Sequence, residues 1–246
     1  MDKYNNGSSE IGNNVSLQDE NLKLKQEVEK LKEDMQDLEF LYEGSIEHGV
    51  AVEDQLADKN AVLEKTQNRL KKELSEAANY IKSLLPEVMN GAVKTHWKFI
   101  PSTELGGDSF GYHWIDKDHL AIYLIDVCGH GVGAALLSAT AINSLRSNSL
   151  FESGQTKDAG TVLTYLNKNF QMEKHNGMYF TIWYGIYSPS TRTLNYSSGG
   201  HPPSFLISYE NGIPKLTQLM TKQIILGFMP DYEYQSQSCV VPPNSS

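Results

Sequence analysis

The sequence has few of the features that mark secreted, membrane-spanning or disulfide-rich proteins. Its 246 residues include only two cysteines, Cys128 and Cys239, which are too few for a disulfide framework, so we expect a reduced, cytoplasmic setting. The longest uninterrupted apolar run is Leu120–Ile125, whereas a membrane-spanning helix needs about 20 apolar residues. The polar N-terminus lacks a basic segment followed by an apolar one, so no secretion signal is predicted.

An excess of positive charge is also missing. The formal net charge is −9, and residues 1–90 contain 11 Lys or Arg against 19 Asp or Glu. Residues 91–246 are nearly balanced, with 10 Lys or Arg against 11 Asp or Glu. Nucleic-acid binding needs clustered basic side chains to neutralise phosphates, so the acidic balance argues against this function. Binding to an anionic membrane surface is disfavoured for the same reason.

The acidic N-terminal third carries a heptad pattern. Leucine recurs every seven residues, and a second series follows four residues after each leucine: Leu17, Leu24, Leu31 and Leu38, then Asn21, Val28, Met35 and Tyr42. Leucine at one seam position, with a single asparagine at the other, favours a parallel two-stranded coiled coil. We therefore predict a disordered segment 1–15, a coiled-coil linker over 16–85 that ends before Pro86, and a parallel homodimer.

The heptad pattern is interrupted between Gly44 and Gly49 and resumes from Leu56 with a shifted register. Such a shift locally unwinds a supercoil. Two interpretations stay open for this helix. It can be a spacer that only dimerises, or a signalling helix that passes a change of twist to the domain that follows it.

The rest of the chain predicts an α+β domain. Short apolar and β-branched runs alternate with turn residues, and two segments have helical periodicity. Because most of the strands are joined by hairpin-like turns, we expect antiparallel sheets with helices packed on them. The predicted strands are Trp97–Ile100, Phe110–Ile115, His119–Val127, Met178–Ser188, Thr193–Ser197, Ser204–Tyr209 and Lys215–Leu219, and the predicted helices are Ala134–Ser147 and Thr161–Gln171.

Two aspartates stand out as candidate site residues. Asp108 follows two glycines and precedes a predicted strand, and Asp126 ends the most apolar strand and precedes a glycine-rich loop. The two strands form a hairpin-like unit, so both carboxylates can reach one point, where hard oxygen ligands suit Mg²⁺ or Mn²⁺. Taken singly, each aspartate is also compatible with a turn or helix cap. The Gly129–Gly133 loop can be an anion cradle of a nucleotide-binding module.

Several short motifs, in this order, resemble the metal-dependent protein serine/threonine phosphatases, in particular their bacterial SpoIIE-type branch. The resemblance extends from Leu74 to the C-terminus. The motifs are Tyr80–Pro86, the Gly-Gly-Asp of 106–108, the Asp-Val-Cys-Gly-His-Gly of 126–131, Met178–Thr181 and the Ser-Gly-Gly-His-Pro-Pro of 198–203.

The resemblance implies an α-β-β-α sandwich of two antiparallel sheets with a two-metal site at one edge. It further implies that Asp108, Asp126 and the carbonyl of Val127 are metal ligands, with Asp108 and Asp126 as the catalytic residues. The cofactor would be Mn²⁺ or Mg²⁺, which activates a water for attack on phosphoserine or phosphothreonine. The expected partner is a phosphorylated regulatory protein of the anti-anti-sigma type.

The sequence departs from the family pattern after Val240. In the family, the chain continues with an apolar strand that ends in Asp-Gly, and a further metal-binding aspartate follows later. In this sequence no acidic residue downstream of Asp126 follows an apolar strand or precedes a glycine. We therefore expect residues 90–246 to form an incomplete phosphatase domain, truncated at its C-terminal strands and lacking half of the metal ligands, with impaired activity. The alternative is a non-catalytic coiled-coil scaffold, or pseudophosphatase, that binds the phosphoprotein partner.

Overall fold

The computed structural model describes residues 7–101, 105–147 and 158–246, and it describes side chains from residue 17 onward. The first six residues, which belong to the predicted disordered segment 1–15, lie outside the described residues. The chain divides into two compact units, Met1–Arg69 and Leu70–Ser246.

The first unit is helical. Helix α1 spans Gly7–Ser83 and so includes the predicted linker up to three residues before Pro86. Its four heptad leucines are all exposed, between 55% and 66% of their surface: Leu17, Leu24, Leu31 and Leu38. An exposed apolar seam of this length is unusual for a lone helix in water.

None of the described helices is long and apolar enough to cross a membrane.

The second unit is built on one antiparallel sheet of five strands. In chain order its strands are β1 (Ser109–Trp114), β2 (Leu120–Val127), β3 (Phe180–Ser188), β4 (Thr193–Gly199) and β7 (Gln237–Val240). They lie in the order β1-β2-β3-β4-β7. A separate hairpin consists of β5 (Ser204–Glu210) and β6 (Ile213–Leu219).

Two helices cover one face of the five-stranded sheet. They are α2 (Val132–Arg146) and α3 (Ala159–Asn169), and their apolar faces share a core with alternate residues of β2 and β3. Tyr123 and Tyr184 stack at the centre of this core with ring centroids 6.2 Å apart. The alternation of buried side chains along the strands places the remaining residues of β2 and β3 on the opposite face.

The hairpin β5–β6 packs on that opposite face. Leu206 and Leu219 of the hairpin form a second core with Trp183 and two residues of β4. The indole Nε1 of Trp183 donates a hydrogen bond to the carbonyl of Leu219 at 2.8 Å. The predicted α+β class, with antiparallel sheets and layered helices, is therefore confirmed. Within the described part of the chain, the second layer of the sandwich is this hairpin.

Two details differ from the prediction. Trp97–Ile100 forms no strand; instead the rings of Trp97 and Phe99 pack against Phe110, with centroids 5.1 and 6.3 Å away. The alternating apolar residues of segment 97–100 therefore pack their rings against the domain, and the segment does not form the backbone hydrogen bonds of a β-strand. Strand β7 was not predicted, because most of its residues are polar and exposed.

Helix α3 begins with an aspartate cap. A carboxylate oxygen of Asp158 accepts hydrogen bonds from the backbone N–H and the hydroxyl of Thr161, at 2.8 and 2.9 Å, and its other oxygen accepts one from Ser236. Partial burial opposes ionisation, but the hydrogen bonds from Ser236 and Thr161 outweigh it and hold the pKa of Asp158 below its ordinary value. The cap thus joins α3 to the segment that leads into β7.

We predict that Asp158→Ala lowers the free energy of unfolding by about 1–2 kcal/mol at neutral pH, because it removes the cap. The folded-state pKa is depressed, so the stabilisation by the carboxylate is fully present above the ordinary pKa of about 3.9 and is lost as pH falls through the folded value. Urea unfolding at several pH values measures both effects.

Asp158→Asn is the matched control, since asparagine caps helices about as well as aspartate but carries no charge. It should retain most of the stability at neutral pH and show a weaker acid dependence than the wild type. A neutral-pH loss in Asp158→Asn as large as that in Asp158→Ala would contradict the capping role.

Candidate metal centre

The two candidate aspartates are brought together by the register of the first hairpin. Strands β1 and β2 pair antiparallel from Trp114↔Leu120 to Ser109↔Ile125. One further step along this register places Asp108 opposite Asp126. Directly opposed residues of an antiparallel pair have Cβ atoms about 4.5–5.5 Å apart and point to the same face. The two carboxyl groups are therefore close enough for each to affect the ionisation of the other.

The turn that carries Asp108 is fixed by close packing at Gly107. A Cβ atom at Gly107 would lie 2.8 Å from the carbonyl oxygen of Val127 and 3.1 Å from the Cβ of Ala134. Only glycine therefore lets this turn approach the end of β2 and the first turn of α2. The contact also places the Val127 carbonyl against the turn that holds Asp108.

The loop between β2 and α2 completes the site. Gly129 and Gly131 both have φ of 86°, a region that favours glycine. The N–H of Gly131 donates to the carbonyl of Leu105 at 3.2 Å. The loop after β2 is thereby tied to the turn before β1.

Buried polar contacts hold the surrounding elements in place. The hydroxyl of Ser138 in α2 donates to the hydroxyl of Ser109, next to Asp108, at 2.8 Å, and both side chains are buried. At the end of β2, the thiol sulfur of Cys128 accepts a hydrogen bond from the backbone N–H of Tyr179 at 3.1 Å. Cys128 thus has a packing role beside the site.

The electrostatics of the site reflect two acids in contact. Although Asp108 as a whole is exposed, loss of water around its carboxyl group is the largest cause of a raised pKa. The hydrogen bond with Asp126 and the charge of Asp126 raise this pKa further, while the nearby His201 lowers it. The pair therefore favours either a shared proton or a bound cation over two free negative charges.

Two adjoining clefts open on this pair of carboxylates. The first, of about 180 Å³, is lined by both aspartates together with Val127, the glycine-rich loop and the segment Phe99–Pro101. The second, of about 290 Å³, shares both aspartates and adds His201 and the apolar side chains of Phe99, Phe110 and Leu124.

The structure thus places all three predicted site residues, Asp108, Asp126 and Val127, around one cleft. It also places His130 in the lining of the first cleft and His201 in that of the second. The proximity of His201 to the two aspartates agrees with the turn near the site edge that the Ser-Gly-Gly-His-Pro-Pro motif predicts. It depends on the bridge between Ile182 and Gly200, a long-range contact that has no local sequence signal.

A third strong ligand is not found beside the pair. Among residues 7–101, 105–147 and 158–246, no group of three or more His, Cys, Asp or Glu side chains is arranged to hold a metal ion. Asp231, the acidic residue of the loop after Met229, is exposed and lines neither cleft.

Comparison with known proteins decides the family. Residues 116–246, more than half of the chain, match the family described as Stage II sporulation protein E (SpoIIE). The chain belongs to the SpoIIE family. This confirms the resemblance seen in the sequence motifs. The matched range includes Asp126 and the loop after it, whereas Asp108 lies just before it.

Two curated relatives of this SpoIIE-family chain come from Bacillus subtilis (strain 168). Phosphoserine phosphatase RsbU is 29% identical over 209 residues, which cover 80% of this chain and 56% of that protein. Phosphoserine phosphatase RsbP is 29% identical over 175 residues, which cover 68% of this chain and 41% of that protein. The chain therefore spans about half the length of these relatives.

A solved structure shows the same fold. The SiaA-PP2C domain of Pseudomonas aeruginosa superposes with a TM-score of 0.56 at 18% sequence identity, covering 73% of this chain and 70% of that domain. The fold of this SpoIIE-family chain is thus that of a PP2C domain in the region compared.

The close packing at Gly107 yields a prediction with an internal control. Gly107→Ala should lower the free energy of unfolding by about 1–3 kcal/mol, because the new methyl group overlaps the Val127 carbonyl and Ala134. Gly106→Ala should change it by less than about 1 kcal/mol, since the nearest atom to its Cβ is 4.0 Å away. Urea unfolding measures both. Equal effects of the two substitutions would show that the turn is not closely packed.

Proposed function

We propose that this chain is a metal-dependent phosphatase that hydrolyses phosphoserine or phosphothreonine on a regulatory partner protein. The observation that supports this most directly is the opposed pair Asp108 and Asp126 at the mouth of a glycine-lined cleft. Membership of the SpoIIE family and two relatives named phosphoserine phosphatases support the reaction class.

The residues present fit a divalent cation. Two carboxylates that face each other repel unless a proton or a cation lies between them. Val127 lines the same cleft and offers a neutral carbonyl oxygen. Oxygen ligands of this kind favour Mg²⁺ or Mn²⁺ over softer metals. When bound, such an ion stabilises negative charge on phosphoryl oxygens and promotes ionisation of water.

The chain's own residues have defined parts in this proposal. Asp108 and Asp126 hold the cation, and the rigid hairpin fixes their spacing. Gly129 and His130 of the glycine-rich loop line the first cleft, where a backbone N–H could donate to a bound phosphoryl group. His130 borders the first cleft and His201 the second, and each could orient an oxygen of a phosphoryl group bound there.

The number of ligands bears on activity. With two carboxylates and one carbonyl within the described residues, we propose that the cation is held weakly and that turnover by this chain alone is impaired. The same observation favours a second candidate, a non-catalytic coiled-coil scaffold or pseudophosphatase that binds the phosphoprotein. Measured turnover distinguishes the two.

The partner and the assembly complete the proposal. The relatives named phosphoserine phosphatases support a phosphorylated regulatory protein as substrate, of the anti-anti-sigma type that the family resemblance implies. We further propose a cytoplasmic protein that forms a parallel homodimer through the exposed seam of α1, where Asn21 would pair with its counterpart.

We predict slow hydrolysis of p-nitrophenyl phosphate that depends on added Mn²⁺. Asp108→Asn and Asp126→Asn should each lower this rate by about 100-fold or more, because each removes half of the charge that holds the cation. Mn²⁺ binding, followed by electron paramagnetic resonance of the free ion, should weaken in parallel.

Asp231→Asn is the matched control, since Asp231 is an exposed aspartate outside both clefts. It should leave rate and binding unchanged. Manganese-dependent turnover that survives in both site variants would contradict the assignment of the site. Absence of turnover in the wild type, with Mn²⁺ binding that is lost in Asp126→Asn, would favour the scaffold.

The proposed dimer has its own test. Light scattering should give twice the chain mass of 27.5 kDa at micromolar concentration. Leu31→Lys places a charge in the seam and should shift the mass towards the monomer, whereas Glu33→Lys lies on the outer side of the same heptad and should not. A monomeric wild type would exclude the coiled coil.

A further inference from the structure

Segment 94–100 forms a strip that leads along β1 to the candidate metal centre. At its far end, the hydroxyl of Thr95 donates to the hydroxyl of Tyr112 at 2.7 Å. Nearer the centre, the ring of Phe99 lies 6.3 Å from that of Phe110, and Phe99 lines both clefts. Phe110 and Tyr112 are alternate residues of β1 and share one face of the sheet. The strip therefore crosses that face from Tyr112 towards the clefts.

The side of the strip that faces water is basic. Exposure alternates along the strip, and its exposed residues include Lys94, His96 and Lys98. No acidic residue occurs in the sequence between Glu87 and Glu104. None of the ion pairs seen in the described part of the chain involves these three side chains. Both lysine charges are therefore available to an anion from outside the chain.

The clefts themselves lack such a charge. Among the described residues, those that line the two clefts include no lysine or arginine, and both clefts contain Asp108 and Asp126. Lys98 is the one lysine or arginine that is adjacent in sequence to a lining residue, Phe99. Lys94 lies four residues further along the strip, which is at most about 14 Å in an extended chain. The two lysines thus form a row that begins at the rim of the clefts.

We propose that Lys98 and Lys94 select a phosphoprotein whose phosphoserine lies in an extended, acidic segment. With the phosphoserine in the cleft, a carboxylate two residues away meets Lys98. A second carboxylate, four residues further, meets Lys94, because two extended chains side by side have the same rise per residue. This inference rests on the proposed function, since it takes the cleft as the place where phosphoserine binds.

The outer row of the strip favours a separate acidic partner over a further layer of the domain. A covering sheet or helix needs apolar side chains on the surface that it buries, and burial of unpaired lysine charges is costly. Lys94, His96 and Lys98 supply a polar surface instead. The last residue, Ser246, pairs with Ile207 of the hairpin β5–β6, away from this row.

The test uses the full chain with Mn²⁺ and three fluorescent phosphoserine peptides. The first has glutamate two and six residues after the phosphoserine, the second has glutamate at the same distances before it, and the third has glutamine at all four positions. Fluorescence anisotropy measures binding, and phosphate release measures kcat/KM. One glutamate peptide should bind about threefold to tenfold more tightly than the glutamine peptide, with a matching rise in kcat/KM where turnover occurs. The preference should weaken as salt is added.

Charge reversal tests whether the preference comes from the strip. Lys98→Glu should abolish the advantage of the nearer glutamate, and it should favour a peptide that has lysine at that position. Lys94→Glu should act in the same way on the farther glutamate only. Lys117→Glu is the matched control, because Lys117 is an exposed lysine in the turn between β1 and β2, and it should keep the wild-type preference.

The outcomes separate this inference from the proposed function. Hydrolysis of all three peptides at one rate leaves the phosphatase standing and overturns the inference alone. Lysine-dependent binding without turnover supports the inference in a non-catalytic scaffold. Equal binding of the three peptides, no binding of any, or a preference that survives in both strip variants overturns it.

Light scattering addresses the competing occupant, the acidic helix α1 of a second copy. A change of mass in Lys98→Glu, together with equal binding of the three peptides, would assign the strip to that helix and overturn the inference.

Discussion

The register of the β1–β2 hairpin is the constraint on which the site depends. It determines that Asp108 faces Asp126, and a slip of one residue would send one of the two carboxylates to the opposite face of the sheet. Several contacts prevent such a slip. The N–H of Ile115 donates to the carbonyl of His119 at 2.8 Å at the turn end, and Asp116 accepts hydrogen bonds from Asp118 and His119 across that turn. The geometry of the site is thus set by a turn at the far end of the hairpin.

The second unit also links the end of α1 to this site. Ala78 and Ile81 pack against Leu105 and Ala135, and Arg146 at the end of α2 donates to the carbonyl of Leu84 at 2.9 Å. Leu105 in turn accepts the hydrogen bond from the loop that follows Asp126. If α1 acts as a signalling helix, these contacts are the physical path by which a change at its C-terminal end reaches the turn of Asp108.

Local pattern predicted the strands β1 to β6 and the helices α2 and α3, because each has a clear period and turn residues at its ends. The convergence of Asp108 and Asp126 was also predictable, since it follows from a single hairpin. Sequence reasoning failed where long-range contacts decide the structure. Strand β7 pairs with the edge of β4 although most of its residues are polar. The segment at Trp97 packs its rings against the domain but forms no β-strand. His201, by contrast, lies near the edge of the site as its motif predicts, although the bridge that brings it there joins distant segments.

The cost of keeping two carboxylates opposite each other gives the site its chemical character. At about 5 Å, two full charges repel by roughly 1–3 kcal/mol near a protein surface, less at high salt. The fold accepts this repulsion at the edge of a sheet face where Leu124 is still 39% exposed, so water and ions reach the pair. A cation that relieves the repulsion would bind only the folded chain, because only the hairpin register brings the two groups together. The proposed cation binding is therefore thermodynamically linked to the stability of the second unit.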